Sequence, residues 1–261
     1  RKTPFPKHPQ FVIGSVSKQV TAVLVLRACE ARLLALHTPI RAYLPELPMA
    51  WADTVTIHQL LCHTSGYQGR DKALLFRPGD RFSYSNQGYG LLSEVLAKVT
   101  ATPYETLVLA LFKRCGMTHS TTPSHLQAKR KPQGFSRKTD GSIVADTSSS
   151  EGWPVAAALL ISTPKDFARW NECLHEKGKL LQQDSYLSMV KPSSTRPHPI
   201  FGDVDYGYGL QTTHRDGIYE VSHGGYFPGF VSVNFYYPES KISLVVMENL
   251  DWMDPAFKQS F

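Results

Sequence analysis

A serine and a lysine stand three residues apart in FVIGSVSKQVTAVLVL, residues 11–26. At positions i and i+3 of a helix, the Ser15 hydroxyl and the Lys18 amine project from one face. Burial in the apolar run that follows lowers the pKa of a lysine and favours the neutral amine. Such an amine can take the serine's proton, so the pair predicts a nucleophile with its base. In the alternative interpretation, Ser15 only caps the helix and Lys18 extends to solvent.

A second segment, RFSYSNQGYGLL, adds a phenol and a carboxamide. Tyr84 and Asn86 lie on a predicted turn just before a helix, where both side chains can point into a cleft. A phenol near an ammonium group loses its proton more readily, so Tyr84 could relay protons between nucleophile and leaving group. The alternative is an ordinary helix start, with Asn86 as the cap and Tyr84 in the core.

A third segment, VSHGGYFPGF, leaves a predicted strand and reaches two glycines. Four consecutive residues form its candidate site: His223, Gly224, Gly225 and Tyr226. Glycines let an extended substrate approach a strand edge and pair with it as an added strand. The backbone N–H of Tyr226 is a candidate oxyanion donor opposite that of Ser15. Alternatively, the segment is a glycine turn at a strand end.

Helices must position the first two segments. The apolar run predicts a first helix from Ser15 to about Leu36, buried on every face. Thr56 is predicted to cap a second helix that stops at Gly66, and a third is predicted near 87–99. A further helix is predicted from Pro103, with Thr102 and Glu105 as its capping box and Gly116 at its end. The last predicted helix follows the cap at Thr163 and ends at Gly178.

The third segment is predicted to lie on strands. After residue 178 the repeat of apolar residues changes from the helical period to the alternating period of strands. YGYGLQTT, IYEVS, GFVSVNFYY and KISLVVME are strand-like, and PES makes a tight turn between the last two. Short connections give antiparallel neighbours. The sequence therefore predicts an α+β fold in a single domain over 1–261, with a helical subdomain at about 37–160 and an antiparallel sheet at about 203–250.

Composition excludes several function classes. Lys and Arg exceed Asp and Glu by 28 to 22, but the densest basic cluster, residues 128–138, lies in a loop-like region, so no nucleic-acid partner is predicted. The apolar stretch Val20–Ala28 is too short to span a bilayer, so no transmembrane segment is predicted. Cys29 and Cys62 lie in apolar periodic segments and are interpreted as core residues. No signal peptide is present, and a cleaved leader is left open.

The order and spacing of the three segments resemble the serine β-lactamase and penicillin-binding-protein family. Within it, the chain is most similar to the class C-related branch, which includes carboxylesterases, D-aminopeptidases and D-Ala-D-Ala carboxypeptidases. The phrases TIHQLLCHTSG, RPGDRFSYSNQGYGLL, LLISTPKDFARW and HGGYFPGF spread the resemblance over almost the whole chain.

The resemblance implies an antiparallel sheet flanked by helices, plus a helical subdomain, with the active site between them. It implies Ser15 as the acylated nucleophile, Lys18 and Tyr84 as the proton-transfer pair, and Asn86 as the residue that orients Lys18 and the substrate amide. The glycine strand with His223 would bind substrate. No metal or organic cofactor is expected. The expected substrate is an ester, a D-peptide or a β-lactam, and the expected location is the bacterial periplasm or cell envelope.

The chain also departs from the family pattern. Only 14 residues precede Ser15, the segment 67–77 is short, and the family's N-terminal strands and C-terminal helix are not found in the sequence. We expect either a shortened relative or a sequence that omits disordered and terminal parts of the protein. His223 and Gly224 replace the Lys-Thr/Ser of the usual strand motif. A neutral imidazole and an absent hydroxyl weaken carboxylate recognition. We therefore predict poor β-lactam turnover, and esterase or D-amino-acid peptidase activity instead.

Competing functions are distinguishable from the residues. No G-x-S-x-G of an α/β-hydrolase and no H-E-x-x-H of a metallohydrolase occurs in the sequence. The remaining rival is a penicillin-binding-like scaffold or sensor that acylates slowly or not at all. Retention of the serine, lysine, tyrosine and asparagine together favours catalysis.

Overall fold

A computed structural model describes residues 6–127, 131–176, 179–198 and 202–251. Within these ranges, helices pack beside an antiparallel sheet, which confirms the predicted α+β class. Two sequence predictions fall on residues outside these ranges: the helix end at Gly178, and the part of the basic cluster at 128–130.

The central helix is shorter than its apolar pattern predicted. A 3₁₀ turn, Gly14–Val16, holds Ser15, and helix α1 begins one residue after that turn, Ser17–Glu30. The helix does not reach Leu36, because Arg32 adopts a left-handed φ of 58°, which a helix cannot continue. From Ser17 to Leu26, α1 is buried on every side, as the uninterrupted apolar run predicted.

The remaining helices surround α1. They are α2 (Ile57–Leu61), α3 (Asn86–Thr100), α4 (Tyr104–Arg114), α5 (Pro164–His175) and α6 (Gln183–Val190). The caps predicted at Thr56 and Thr163 are confirmed, since each hydroxyl accepts the N–H three residues on. Ser85 caps α3 in the same way, so Asn86 is left to face the site. No single helix of the described residues is long and apolar enough to cross a bilayer. Helices α3 and α4 taken together have the length and composition of a membrane span, but the pair is bent by 86°.

Two predicted helix boundaries are wrong. The Thr102 hydroxyl donates to the Thr100 carbonyl instead of capping α4, whose N-cap is Pro103, with no side-chain bond. The second helix ends at Leu61, before Gly66, because His63 adopts a left-handed φ of 60°. The first error has a local cause, because the Thr100 carbonyl competes with the helix N-terminus for the Thr102 hydroxyl.

Six strands of the described residues form an antiparallel sheet in the order β10-β9-β8-β7-β6-β5. Their bounds are β5 (Ser194–His198), β6 (Gly202–Tyr206), β7 (Gln211–Arg215), β8 (Ile218–Phe227), β9 (Phe230–Tyr237) and β10 (Ile242–Glu248). The turn at 238–241 joins the last two, as predicted. The prediction that β8 ends before His223 is wrong. The strand continues to Phe227, because every residue from 221 to 227 pairs with β9.

Two smaller sheets complete the fold. Strand β1 (Phe11–Val12) pairs with β4 (Ile161–Ser162), and β2 (Phe135–Arg137), β3 (Ile143–Ala145) and β11 (Leu250–Asp251) form a second unit. The hairpin of β2 and β3 begins within the basic region 128–138, which was predicted to be loop-like. The β1–β4 pair lies next to Gly14–Val16 and helps to hold that turn in place.

A buried network of amides fixes α1 against its neighbours. Gln19 Oε1 accepts hydrogen bonds from Trp170 Nε1 of α5, at 3.1 Å, and from Asn234 Nδ2 of β9, at 3.2 Å. Asn171 and Asn234 exchange two further hydrogen bonds. Buried amides are costly without partners, so these bonds favour one register of α1 over others.

Candidate active site

Ser15 and Lys18 lie together, as their spacing predicted. Both are buried, with 2% and 0% of their surface exposed. Lys18 Nζ lies 3.2 Å from Ser15 Oγ, 2.7 Å from Asn86 Oδ1 and 3.0 Å from the Ala157 carbonyl oxygen. The alternative in which Lys18 extends to solvent is wrong.

The three contacts of Lys18 suit a neutral amine. A neutral amine has two N–H donors and one lone pair, and here two of its three neighbours are oxygens that can only accept. The lone pair then faces the third neighbour, the Ser15 hydroxyl. Burial lowers the pKa of Lys18 well below its ordinary value, and the positive charge of Arg196 lowers it further.

Tyr84 lies on the other side of Lys18, with its ring centroid 4.6 Å from Nζ. Its hydroxyl is buried, and no described residue meets it with full hydrogen-bond geometry. Burial raises the pKa of Tyr84, and the nearby Ser15 hydroxyl and Arg196 oppose that shift without cancelling it. The expectation that the ammonium would ease proton loss is therefore wrong for the resting site, where Tyr84 is a neutral phenol.

His223 is buried inside the site rather than on its rim. Its Nε2 lies 2.9 Å from the Tyr206 hydroxyl, and its Nδ1 contacts the Gly224 carbonyl. The Tyr206 hydroxyl also contacts His63 Nε2, at 3.2 Å. Burial lowers the pKa of His223 to about 3, with Lys18 as the next contribution. The imidazole is thus neutral and engaged within the protein through both ring nitrogens.

The glycines of β8 let the strand lie against the turn that carries Ser15. A side chain at Gly225 would overlap the Ile13 carbonyl, and one at Gly14 would overlap the Tyr226 backbone nitrogen. These close approaches hold the backbone of Tyr226 against Gly14, the residue next to Ser15. That the N–H groups of Ser15 and Tyr226 form an oxyanion site stays a prediction. The Tyr226 hydroxyl instead contacts Asp251, 2.9 Å away.

We expect Gly225→Ala to destabilise the protein by roughly 1–3 kcal/mol, as overpacked positions do. The new methyl group would overlap the Ile13 carbonyl and the Ser232 hydroxyl, which itself holds that carbonyl at 2.7 Å. The midpoint of urea unfolding measures the effect. Gly88→Ala is the matched control, because its methyl group would meet only ordinary contacts at 3.4 Å or more. Equal midpoints for the two variants would contradict the packing of β8 on this turn.

Sequence reasoning missed several groups of the site. The Ala157 carbonyl comes from a π-helical segment, Val155–Leu159, whose wide turn aims carbonyls at α1. Gly209, with φ of 69°, packs against the Lys18 backbone, which explains one glycine of YGYGL. The guanidinium carbon of Arg196 lies 5.6 Å from the Tyr84 ring centroid. A sequence pattern does not predict the position of a backbone carbonyl or of a single arginine such as these. The segment YGYGL, which contains Tyr206 and Gly209, was recognisable in the sequence.

Comparison with known proteins identifies relatives over most of the chain. A model of the Beta-lactamase family matches residues 1–258. PbpX of Bacillus subtilis, which is named as a penicillin-binding protein, is 27% identical over 262 residues, covering 92% of this chain and 62% of PbpX. The chain thus spans about three fifths of the length of that relative.

Solved structures agree with the fold. The penicillin-binding protein from Bacillus halodurans superposes with a TM-score of 0.83 at 26% identity, over 97% of this chain and 84% of that one. A D-stereospecific amidohydrolase from Streptomyces sp. superposes with a TM-score of 0.82 at 22% identity, over 95% of this chain and 84% of that one. These likenesses confirm the predicted antiparallel sheet flanked by helices.

Proposed function

Because the chain belongs to the β-lactamase family, we propose that it is a serine hydrolase that forms an acyl-enzyme on Ser15. One observation carries the proposal: Lys18 Nζ lies between the Ser15 hydroxyl and two carbonyl oxygens, so its lone pair faces the nucleophile. The proposed substrates are esters and amides, with esterase or D-peptidase activity in preference to efficient β-lactam hydrolysis.

Acylation begins with proton transfer from Ser15 Oγ to Lys18 Nζ. The oxygen attacks the substrate carbonyl carbon, and the negative charge that develops on the carbonyl oxygen is stabilised by the N–H groups of Ser15 and Tyr226. Asn86 holds Lys18 through its Oδ1 and leaves its amide N–H₂ for a substrate carbonyl. Collapse of the tetrahedral intermediate expels an alcohol or amine.

Tyr84 supplies the proton for that leaving group. Its phenol is neutral at rest because burial raises its pKa, and Lys18, protonated in the first step, lies beside its ring. A proton given by Tyr84 to the leaving group is replaced from Lys18, so no charged phenolate persists in the buried site. Water then attacks the acyl-enzyme, with Lys18 as the base, and releases the acid.

The substrate range follows from the glycine strand. Strand β7 pairs with β8 only as far as Ser222, which supports a peptide or acyl group pairing with the residues of β8 that follow. His223 stands where relatives have a lysine, and its engaged imidazole offers no cation to a β-lactam carboxylate. The likeness to a D-stereospecific amidohydrolase supports D-amino-acid amides as one substrate class.

Side-by-side assays of 4-nitrophenyl esters, D-alanine 4-nitroanilide and nitrocefin test this proposal, together with labelling by a fluorophosphonate followed by intact mass. We expect labelling, and faster turnover of the esters or the anilide than of nitrocefin. Turnover of nitrocefin alone would contradict the substrate assignment. Absence of both labelling and turnover would favour the alternative, a catalytically inactive scaffold or sensor.

A further inference from the structure

Two cysteines that the proposed mechanism does not use face each other between α4 and α5. Cys115 is the C-cap residue of α4 and is half-buried, whereas Cys173 lies on α5 with 5% of its surface exposed. Their Sγ atoms are 2.6 Å apart, although the two residues are separated by 58 positions in the sequence. A disulfide bond is about 2.05 Å long, so a small displacement would bring these two atoms to bonding distance.

Contacts on either side of the two cysteines hold the end of α4 against α5. Arg169 of α5 donates from Nη1 to the carbonyl of Gly116, the residue after Cys115, at 3.0 Å. Arg114, the residue before Cys115, donates from Nε and Nη2 to the carbonyl of Lys179, at 3.2 and 3.0 Å. The two sulfur atoms are therefore brought together by the packing of the surrounding backbone, and not by the rotamer of one side chain alone.

The groups around the two cysteines favour a thiolate. The hydrogen bond from Cys115 lowers the pKa of the Cys173 thiol, and the positive charges of Lys179 and Arg114 lower it further. Burial and the carboxylate of Glu172 oppose this shift without cancelling it. Because the thiolate is the nucleophile of thiol–disulfide exchange, these surroundings suit the formation of a disulfide bond.

We propose that Cys115 and Cys173 are oxidised to a disulfide bond that joins α4 to α5, with a protein disulfide or a small-molecule disulfide as the oxidant. The more exposed Cys115 loses its proton to solvent, attacks one sulfur of the external disulfide and releases the first external thiolate. The Cys173 thiolate then attacks the Cys115 sulfur of this mixed disulfide and expels the second external thiolate. The protein loses two protons and two electrons in total, and the external disulfide gains them as two thiols.

The bond connects two helices that both pack on α1. The Tyr104 hydroxyl of α4 shares a hydrogen bond of 2.8 Å with Thr21 of α1, and Trp170 of α5 donates to Gln19 of the same helix. In the unfolded chain the bond closes a long loop, and the conformations that this closure removes make unfolding less favourable. The proposed bond therefore stabilises the arrangement of helices behind the site, whether or not the protein is a hydrolase.

Intact mass after alkylation tests the bond in the wild-type chain. The protein is incubated with oxidised glutathione, unfolded in guanidinium chloride and alkylated with N-ethylmaleimide, with or without prior reduction. We expect adducts on Cys29 and Cys62 alone without reduction, and on all four cysteines after reduction. Peptide mapping without reduction should find Cys115 joined to Cys173. Maleimide on all four cysteines without reduction, or a bond that includes Cys29 or Cys62, would overturn the proposal.

Single variants test the order of the two steps. In Cys173→Ala the mixed disulfide has no resolving thiolate, so Cys115 should retain one glutathione after the same incubation, whereas the wild type should retain none there. Cys29→Ala is the matched control, because Cys29 lies on α1 and is also half-buried; this variant should still join Cys115 to Cys173. A glutathione that persists on Cys115 of the wild type would overturn the internal bond.

Thermal unfolding measures the effect of the bond on stability. We expect the midpoint of the oxidised wild type to lie about 5–10 °C above that of the reduced protein, as a cross-link over a long loop predicts. The double variant Cys115→Ala/Cys173→Ala should have one midpoint with and without reductant. Equal midpoints for the oxidised and reduced wild type would overturn the stabilising role. The wild-type mass measurement keeps the proposal testable if an alanine variant does not fold.

Discussion

Ser15→Ala is expected to abolish labelling by a fluorophosphonate and to lower kcat/KM for ester hydrolysis by at least about 10⁴-fold, the scale of loss when a catalytic serine is removed. The reason is covalent: without Oγ no acyl-enzyme forms, and Lys18 has no proton to accept. Intact mass before and after labelling, together with initial rates, measures both effects.

Ser17→Ala is the matched control for this prediction. Ser17 is equally buried and lies two residues away, but its hydroxyl accepts the Leu160 N–H, at 3.3 Å, instead of facing Lys18. This variant should still be labelled, with at most a modest loss of stability. Labelling of Ser15→Ala to the same extent as wild type would refute Ser15 as the nucleophile.

Lys18→Met is expected to lower kcat by about 10²- to 10⁴-fold, the usual contribution of a general base. Methionine preserves the length of the side chain in the buried site but has no lone pair that can take the serine's proton. In the wild type, kcat/KM should rise with pH through the lowered pKa of Lys18, because the neutral amine is the active form. Titration of His223 cannot cause this rise in kcat/KM at pH 5 or above, since the pKa of His223 is about 3. The rise should be absent in Lys18→Met.

Stability provides a second measurement for Lys18. Its pKa is lowered from 10.5 in the folded protein, so the unfolded chain binds more protons between the folded pKa and 10.5. The free energy of unfolding should therefore rise with pH across that window, and Lys18→Met should flatten the rise. Lys98→Met, on the exposed side of α3, serves as control and should keep both the slope and the activity. Near-normal turnover of Lys18→Met would remove the base assignment.

The sequence predicted the groups that touch one another through short, local signals. The i and i+3 spacing placed Ser15 beside Lys18, and the turn before α3 delivered Asn86 to within 2.7 Å of the same amine. The caps at Thr56 and Thr163 were predictable because a threonine hydroxyl at the N-cap position can accept the backbone N–H three residues on. The fold class followed from the change of period after residue 178.

The rest depended on tertiary contacts that no local pattern records. Arg196 is far from Lys18 in sequence, and only the pairing of β5 with β6 brings it to Tyr84. The protonation state of Tyr84 was predicted in the wrong direction because the cost of burial exceeded the effect of the neighbouring charge. The failed cap at Thr102 has the same origin, since its hydroxyl found a nearer carbonyl.

The amide network under α1 and the bond from Ser232 to the Ile13 carbonyl tie the nucleophile to β9 on both sides of the 3₁₀ turn. The nucleophile is therefore anchored to the sheet from two positions of its own segment. Tyr84 and Asn86 belong to the opposite wall, and Asn86 contacts Lys18 directly. Asn86 thus joins the two walls at the base itself, so a substitution there would disturb the position of Lys18 as well as the packing of the cleft.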